Sequence, residues 1–385
     1  MSVFADVTRC SLLHRGGEAQ IYRLWAGSKS YVLKWYAAGC HFDSATVGCL
    51  LHERVDGVYR VVDAGEKNAR PYLVYDFVEG LESNKFSPMP VAVALDALRQ
   101  LVVALKTLSA KGIHHGDLNP ANVLVGADGK VTLIDCGIVG PGSLPYAAPE
   151  RFQSKPATEK SDAYSLGMLL YFWIAGEELV KAETYEEFAD AATRADSLDP
   201  TTKLYSRLDS LVESGSLAGP ETLTKLAPLW SALLRADPEN RVEDLDELDE
   251  LLEIAFAGVC GGEVAWLNSQ TKFLKSFFSK SGTICNNEGE TCEIPPEFAV
   301  MQHTGRNKKF LLTAFFVLIL LVSVLVVVVK GGSSNIDETG ALMLKKSRSL
   351  DMGEAGLENG LDSAAVGVDG QSLKTLPVPD KDENE

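Results

Sequence analysis

Over roughly the first eighty residues, apolar and polar positions alternate in short runs: AQIYRLW, SYVLKWY, VYRVVDAG and RPYLVYDFV. A period of two puts alternate side chains on opposite faces of a strand, so the front of the chain predicts a β-rich unit. From residue 91 the spacing changes. In VAVALDALRQLVVALKTLSAKG, apolar residues recur every three or four positions, and the run stops on Lys-Gly, a pair that ends helices. Helical patterns return at 161–176 and, in pieces, over 183–257. A strand-rich front and a helical back predict an α+β chain with a cleft between its halves. No internal repeat is present.

The sharpest break in the pattern is FLLTAFFVLILLVSVLVVVV, residues 310–329, twenty positions without a charge. About twenty apolar residues span the hydrocarbon core of a bilayer as a helix. A β-branched run of this kind suits lipid, where the backbone has no other hydrogen-bond partner. Arg306, Lys308 and Lys309 precede it and only Lys330 follows closely. Basic residues stay on the cytoplasmic side, so residues 1–309 are expected in the cytoplasm and 330–385 beyond the plasma membrane. The trailing Lys345, Lys346 and Arg348 pull weakly the other way. The tail from 331 has no aromatic residue and eleven acids against five bases, a composition that predicts disorder. Between 257 and the span, residues 258–309 read as a juxtamembrane linker. Within it, CNNEGETCEIPPEF looks like loop, and VAWLNSQTKFLKSFF fits either a helix lying on the membrane or a packing helix.

Composition narrows the partners. The formal net charge of -17 argues against nucleic acid. The seven cysteines show neither metal-ligand spacing nor a dense disulfide framework and read as reduced thiols, with Cys285 and Cys292 read as loop positions. MSVFADVTRC lacks the basic and apolar regions of a signal peptide.

The chemistry is concentrated in HHGDLNPANVLV, residues 114–125, and VTLIDCG, residues 131–137, two apolar strands joined by the hairpin GADGK. Phosphoryl transfer needs carboxylate and amide ligands for metal ions, a cation on the phosphates, and a base for the attacking hydroxyl. Asp117 is the candidate base and Asn122, five residues on, a candidate metal ligand. Asp135 is the second metal ligand, and Gly137 lets the chain turn away. Leu124 would lie under a bound adenine.

Taken with four further motifs, these residues resemble a eukaryotic-type protein kinase domain over roughly residues 8–257, of the kind found in membrane-anchored bacterial Ser/Thr kinases. GSLPYAAPE (142–150) resembles the end of the activation segment. SDAYSLGMLLYFWIAG (161–176) resembles the buried central helix, whose Asp162 would bond the catalytic-loop backbone. LLRADPENRV (233–242) carries Arg241, which would pair with Glu150. VLKWY (32–36) carries Lys34, which would grip the α- and β-phosphates. The resemblance implies a two-lobed α+β fold, with a small lobe of about residues 1–80 and a helical lobe of about 81–257. It also implies Mg²⁺ or Mn²⁺ with ATP as cosubstrate, and a protein substrate. It places Tyr75 at the gatekeeper position and the backbone of Asp76 and Val78 against adenine. Ser143 falls on the substrate side, where the family has Thr or Ser.

The chain departs from the family in four places. The phosphate loop RGGEAQIYRL has only Gly16 and Gly17. No acid stands at the expected place on the helix after Lys34: the position falls near Thr46, Asp43 is early and Glu53 late. Gly116 replaces the Arg that meets a phosphorylated activation loop, and only sixteen residues run from Asp135 to Glu150. Asn119 replaces the Lys that steadies the moving phosphoryl group, which predicts slower chemistry. Three readings stand at this point: an active Ser/Thr kinase not switched by loop phosphorylation, a pseudokinase scaffold, and a small-molecule phosphotransferase. A dimer through the span stays open, without a small-xxx-small pattern to favour it.

Overall fold

The alternating front of the chain folds as an antiparallel sheet in the computed structural model, which describes residues 3–40, 43–137, 140, 142–260, 263–280 and 289–299. Strands β1 (Val7–Arg15), β2 (Ala19–Ala26), β3 (Lys29–Tyr36), β4 (Val61–Lys67) and β5 (Arg70–Asp76) lie in the order β4-β5-β3-β2-β1. The register follows the alternation. In β3, Leu33 and Trp35 turn to one face and Val32 and Lys34 to the other. On the first face, Phe4, Leu24, Leu33, Trp35, Tyr72 and Val74 form a small separate core. Between β3 and β4 lies α1 (Ser44–His52), capped by Asp43, whose carboxylate accepts from the Ala45 and Thr46 backbone N–H groups.

A second sheet of β6 (Leu81–Glu82), β7 (Val123–Val125) and β8 (Val131–Leu133) begins the helical half. Its largest helices are α2 (Val91–Ser109) and, after the short α3 (Pro149–Phe152), α4 (Glu159–Ala175). In α2, Leu95, Leu98, Leu101, Val102, Leu105 and Leu108 are buried at helical spacing. Helix α4 is buried nearly all round and starts at a capping box between Thr158 and Ser161. The lobe is completed by α5 (Tyr185–Thr193), α6 (Pro200–Tyr205), α7 (Leu208–Glu213), α8 (Pro220–Leu233) and α9 (Leu245–Cys260).

The expected linker at 258–309 is corrected in part. Helix α10 (Glu263–Lys280) packs on the helical lobe: Leu274 is buried, Phe277 lies 4.4 Å from Phe86 between ring centres, and Gln270 Nε2 donates to Asp96 Oδ2 at 2.8 Å. Of the two readings of this stretch, the packing helix holds. Strand β9 (Glu290–Cys292) adds a sixth strand beside β1 and brings Cys292 Sγ to 3.4 Å from Cys10 Sγ. Just beyond it, Phe298 is fully buried, stacked on Phe4 at 4.8 Å and edge-on to Trp35 and Tyr72. Removing a ring from such a site costs about 3–5 kcal/mol, so this contact is a structural part of the small lobe.

The chain divides into Met1–Leu312 and Thr313–Glu385, and every described residue belongs to the first unit. No described helix is long and apolar enough to cross a membrane. The apolar run 310–329 and the tail 330–385 lie outside the described residues, as does Cys285.

Candidate active site

Asp117 sits in the loop that links α2 to β7, and three donors converge on its carboxylate. Ser143 N–H donates to Oδ1 at 2.6 Å and Asn119 Nδ2 to the same oxygen at 3.2 Å, while Asn122 Nδ2 donates to Oδ2 at 3.0 Å. The local sequence explains the gathering. Asn119 Oδ1 caps the 3₁₀ turn Pro120–Asn122 by accepting from the Ala121 and Asn122 N–H groups, and Pro120 supplies the fixed φ that starts such a turn. The turn brings Asn122 back under Asp117, where its amide also donates to the Asp117 carbonyl at 2.9 Å. Asn119 Nδ2 reaches across to Ser143 Oγ at 2.9 Å, tying the loop to the activation segment.

The loop is anchored from below. Asp162, fully buried on α4, accepts from His115 N–H at 2.8 Å and Gly116 N–H at 2.9 Å. Burial pushes its carboxyl up from the ordinary value, and the His115 side chain with these two N–H groups pulls the other way. His115, also buried, places Nε2 at 2.9 Å from the Ile134 carbonyl and Nδ1 at 3.3 Å from the Asp117 N–H. It thereby links the catalytic loop to the strand that delivers Asp135. Further out, Arg241 grips Glu150 with both ends of its fork, at 2.6 and 2.8 Å, in a pocket that buries both side chains.

On the opposite wall, Lys34 Nζ lies 2.6 Å from Asp135 Oδ2. Asp135 takes a left-handed φ of 63°, which costs a residue other than Gly about 1–2 kcal/mol, and its carboxylate meets Lys34. Helix α1 holds no acid at all. Thr46, at the position where the family has one, is buried and packs against Gly137, and the Asp43 N–H donates to the Gly137 carbonyl at 2.8 Å. Asp43 spends its carboxylate on the helix cap, and Glu53 pairs with Lys111. Lys34 therefore finds its carboxylate in Asp135.

The remaining residues frame the adenine end. Tyr75 is buried on β5 with its ring 4.9 Å from that of Tyr59, edge-on, and burial, helped by the Asp135 charge, raises its phenol well above the ordinary value. The cleft's back wall is thus filled by a neutral ring. Asp76 ends β5, its N–H donating to the Arg60 carbonyl, and Val78 follows half-buried in the connection to β6. In β7, Val123 and Val125 point into the core, which turns Leu124 to the other face. Gly16 and Gly17 form the exposed tip between β1 and β2, closed by a bond from Gly16 N–H to the Ala19 carbonyl at 2.9 Å.

The two candidate metal ligands, Asp135 and Asn122, carry oxygens of the kind a divalent cation takes. Asp135 Oδ1 is buried without a hydrogen-bond partner, and an orphaned carboxylate oxygen in a polar cleft calls for a cation. Asn122 uses its amide N–H₂ on Asp117, which leaves its carbonyl oxygen as the hard ligand Mg²⁺ prefers. Among the described residues there is no cluster of three or more His, Cys, Asp or Glu suited to a metal.

Two contributors escaped sequence reading. His115 read as one letter of a motif, although its two ring nitrogens join two segments. Gly142, at φ 81°, runs so close over the loop that an added Cβ would lie 2.7 Å from the Gly116 carbonyl and 3.0 Å from Asp117 Oδ1. Pro-Gly-Ser signals a turn, but not its proximity to Asp117.

The chain is similar to proteins already known. The family described as protein kinase domain matches residues 47–254. A probable serine/threonine-protein kinase PknB of Lactococcus lactis is 26% identical over 203 residues, covering 46% of this chain and 32% of the relative. PknB of Mycobacterium tuberculosis is 26% identical over 221 residues, covering 51% and 34%, and PknD of the same species is 25% identical over 250 residues, covering 57% and 38%. The chain thus spans about a third of the length of the curated relatives it matches. The Mycobacterium tuberculosis PknI kinase domain superposes with a TM-score of 0.47 at 19% identity, covering 66% of this chain and 97% of that one. With the family match extending over more than half of its length, the chain belongs to the protein kinase family.

Proposed function

We propose that this chain is a membrane-anchored Ser/Thr protein kinase that transfers the γ-phosphate of Mg-ATP to protein hydroxyls and is not switched by phosphorylation of its activation segment. The observation that carries the reading is the convergence on Asp117. An ionised carboxylate offers about four acceptor positions. Two on Oδ1 and one on Oδ2 are taken by Ser143, Asn119 and Asn122. The fourth, on Oδ2, is left for the hydrogen of an incoming hydroxyl. Asp117 is thereby oriented to accept a substrate proton, and Ser143 borders the place where that hydroxyl arrives.

Asn122 and Asp135 would hold the metal, which when bound neutralises charge on the phosphates. Lys34 supplies the cation for the α- and β-phosphates, and its present partner Asp135 keeps it in the cleft. Asn119 donates through an amide without bringing a positive charge, which supports slow turnover. Nothing in the catalytic loop depends on a phosphate: the segment already meets Asp117 through Ser143. The buried Glu150–Arg241 pair stiffens the platform beside it and favours a protein substrate over a small molecule. Anchoring and a cytoplasmic domain rest on the apolar run 310–329 and its basic flank. The domain division of 1–257, 258–309, 310–329 and 330–385 remains the proposed outline, with α10 and β9 counted to the kinase unit.

One observation favours a second reading, a nucleotide-binding or empty scaffold: Lys34 has no acid on α1 and pairs with the metal-site carboxylate instead. The two part in one assay. The full chain is supplied with labelled ATP, Mg²⁺ or Mn²⁺ and a generic protein substrate, before and after phosphatase treatment. Transfer that survives phosphatase and vanishes in Asp117→Ala supports the kinase reading. Thermal stabilisation by nucleotide without transfer supports the scaffold.

A further inference from the structure

Gly116 occupies the place where regulated kinases carry an arginine, yet the space beside it is not without a guanidinium. Gly116 has a left-handed φ of 74°, and an added Cβ would lie 2.9 Å from Ala157 Cβ and 3.5 Å from Nη2 of Arg151. Arg151 comes from α3, directly after Glu150, and is only 7% exposed. Its Nη1 donates to the Lys155 carbonyl at 2.7 Å, closing the turn after α3. Its Nη2 donates to the carbonyl of Gly140, in the activation segment three residues before Ser143. Burial pulls its guanidinium below the ordinary value, and the charges of Asp162, Glu150 and Asp117 pull the other way. Two carbonyls accept from its Nη atoms, and its Nε is buried without a hydrogen-bond partner among the described residues.

We propose that Arg151 is a positioning residue: a fixed cation that holds the activation segment over the catalytic loop through the Gly140 carbonyl, where regulated relatives use a loop phosphate. The geometry links cause to effect. Both contacts fall inside the short segment from Asp135 to Glu150: Gly140 is held by Arg151, and three residues on the Ser143 N–H donates to Asp117 Oδ1. Releasing Gly140 frees the stretch that delivers the Ser143 N–H, and the carboxylate loses its shortest donor. The arginine makes no hydrogen bond to Asp117 among those described; beyond the charge the two groups feel, it acts through that backbone. The proposal rests on the kinase reading for its effect on turnover, but its effect on the segment does not.

The test uses the full chain and the variants Arg151→Ala and Arg151→Lys. Hydrogen exchange is read on peptides covering Gly140 to Tyr146, alongside kcat and KM for a protein substrate and thermal midpoints. In Arg151→Ala the Ser143 region should exchange at least about tenfold faster. Its kcat should fall by up to roughly 10²-fold, the scale of a misplacement of about 1 Å. KM for ATP should stay near the parent value. Millimolar methylguanidine should restore part of the lost protection and turnover in Arg151→Ala, and none of the turnover in Asp117→Ala. Lys keeps the charge but not the fork, so its exchange should fall between the two. A lowered midpoint with parent-like exchange at Ser143 would reduce Arg151 to a packing residue and overturn the proposal, as would parent-like kcat and exchange together. If Arg151→Ala does not fold, Arg151→Lys decides by the same exchange criterion. If the parent chain transfers no phosphate, the exchange result still decides on Arg151, and the failure falls on the kinase reading alone.

Discussion

Asp117 and Lys34 face one cleft from opposite walls and are held in different ways. Asp117 is fixed by Ser143, Asn119 and Asn122, its backbone by His115, and its loop by Asp162. Lys34 has one described carboxylate partner, Asp135, itself in a left-handed conformation, and lies 5.2 Å from the centre of the Tyr36 ring, while α1 offers Thr46 where an acid would brace the lysine. One wall is over-determined and the other is not. The contrast predicts that turnover is limited from the β3 side, and that the helical wall carries most of the rigidity.

The largest expected effect tests the first wall at its centre. Asp117→Ala removes the group that orients the substrate hydroxyl and should lower kcat by about 10²–10⁴. Measured transfer of labelled phosphate checks it, and nucleotide-dependent thermal stabilisation should remain. A variant that keeps its parent rate would unseat Asp117 as the base. Next, Glu150→Ala strands Arg241 in a pocket where it is fully buried, at a cost of about 3–5 kcal/mol. Urea unfolding reads this directly, and replacing both partners with apolar residues should cost less than removing one. A loss under about 1 kcal/mol, the value of an exposed pair, would contradict a rigid helical wall.

A gain on the weak wall is more telling than a loss. Thr46→Glu places an acid within α1 beside Gly137, at the cost of crowding a buried site. If the β3 wall limits turnover, kcat/KM should rise by up to about tenfold, the equivalent of 1.4 kcal/mol. A fall in kcat/KM with an unchanged melting temperature would show that Lys34 needs no second partner. The smallest effect concerns Asn119→Ala. It removes the cap of the Pro120–Asn122 turn and should lower stability by about 1 kcal/mol. Kinetics should show a fall in kcat as Asn122 loosens. A change confined to stability would separate the cap from the reaction.

Much of the site could be read from residue order, because each motif is short and its partners are fixed by the fold. The Asp and Asn of the catalytic loop, the strand Lys, the Asp before Gly137 and the Glu150–Arg241 pair lie in segments whose period and turns were plain. The gap near Thr46 was visible as well, since an acid is either present or not. What could not be read depends on distant neighbours. The three residues of β9 become a strand only because β1 offers an open edge, and Glu-Thr-Cys has too little alternation to signal one. Phe298 is one aromatic in a polar stretch until Phe4, Trp35 and Tyr72 enclose it. Asn119 read as a lost cation, whereas its cap is a second role that emerges only from the turn it closes.

The burial of Phe298 has a consequence for where the chain can be shortened. A cut after residue 257 would remove β9 and Phe298 together. The ring faces of Phe4, Trp35 and Tyr72 that Phe298 covers would then meet water. An apolar patch opened in this way invites association, so a fragment trimmed to residues 1–257 should be stickier than the longer chain.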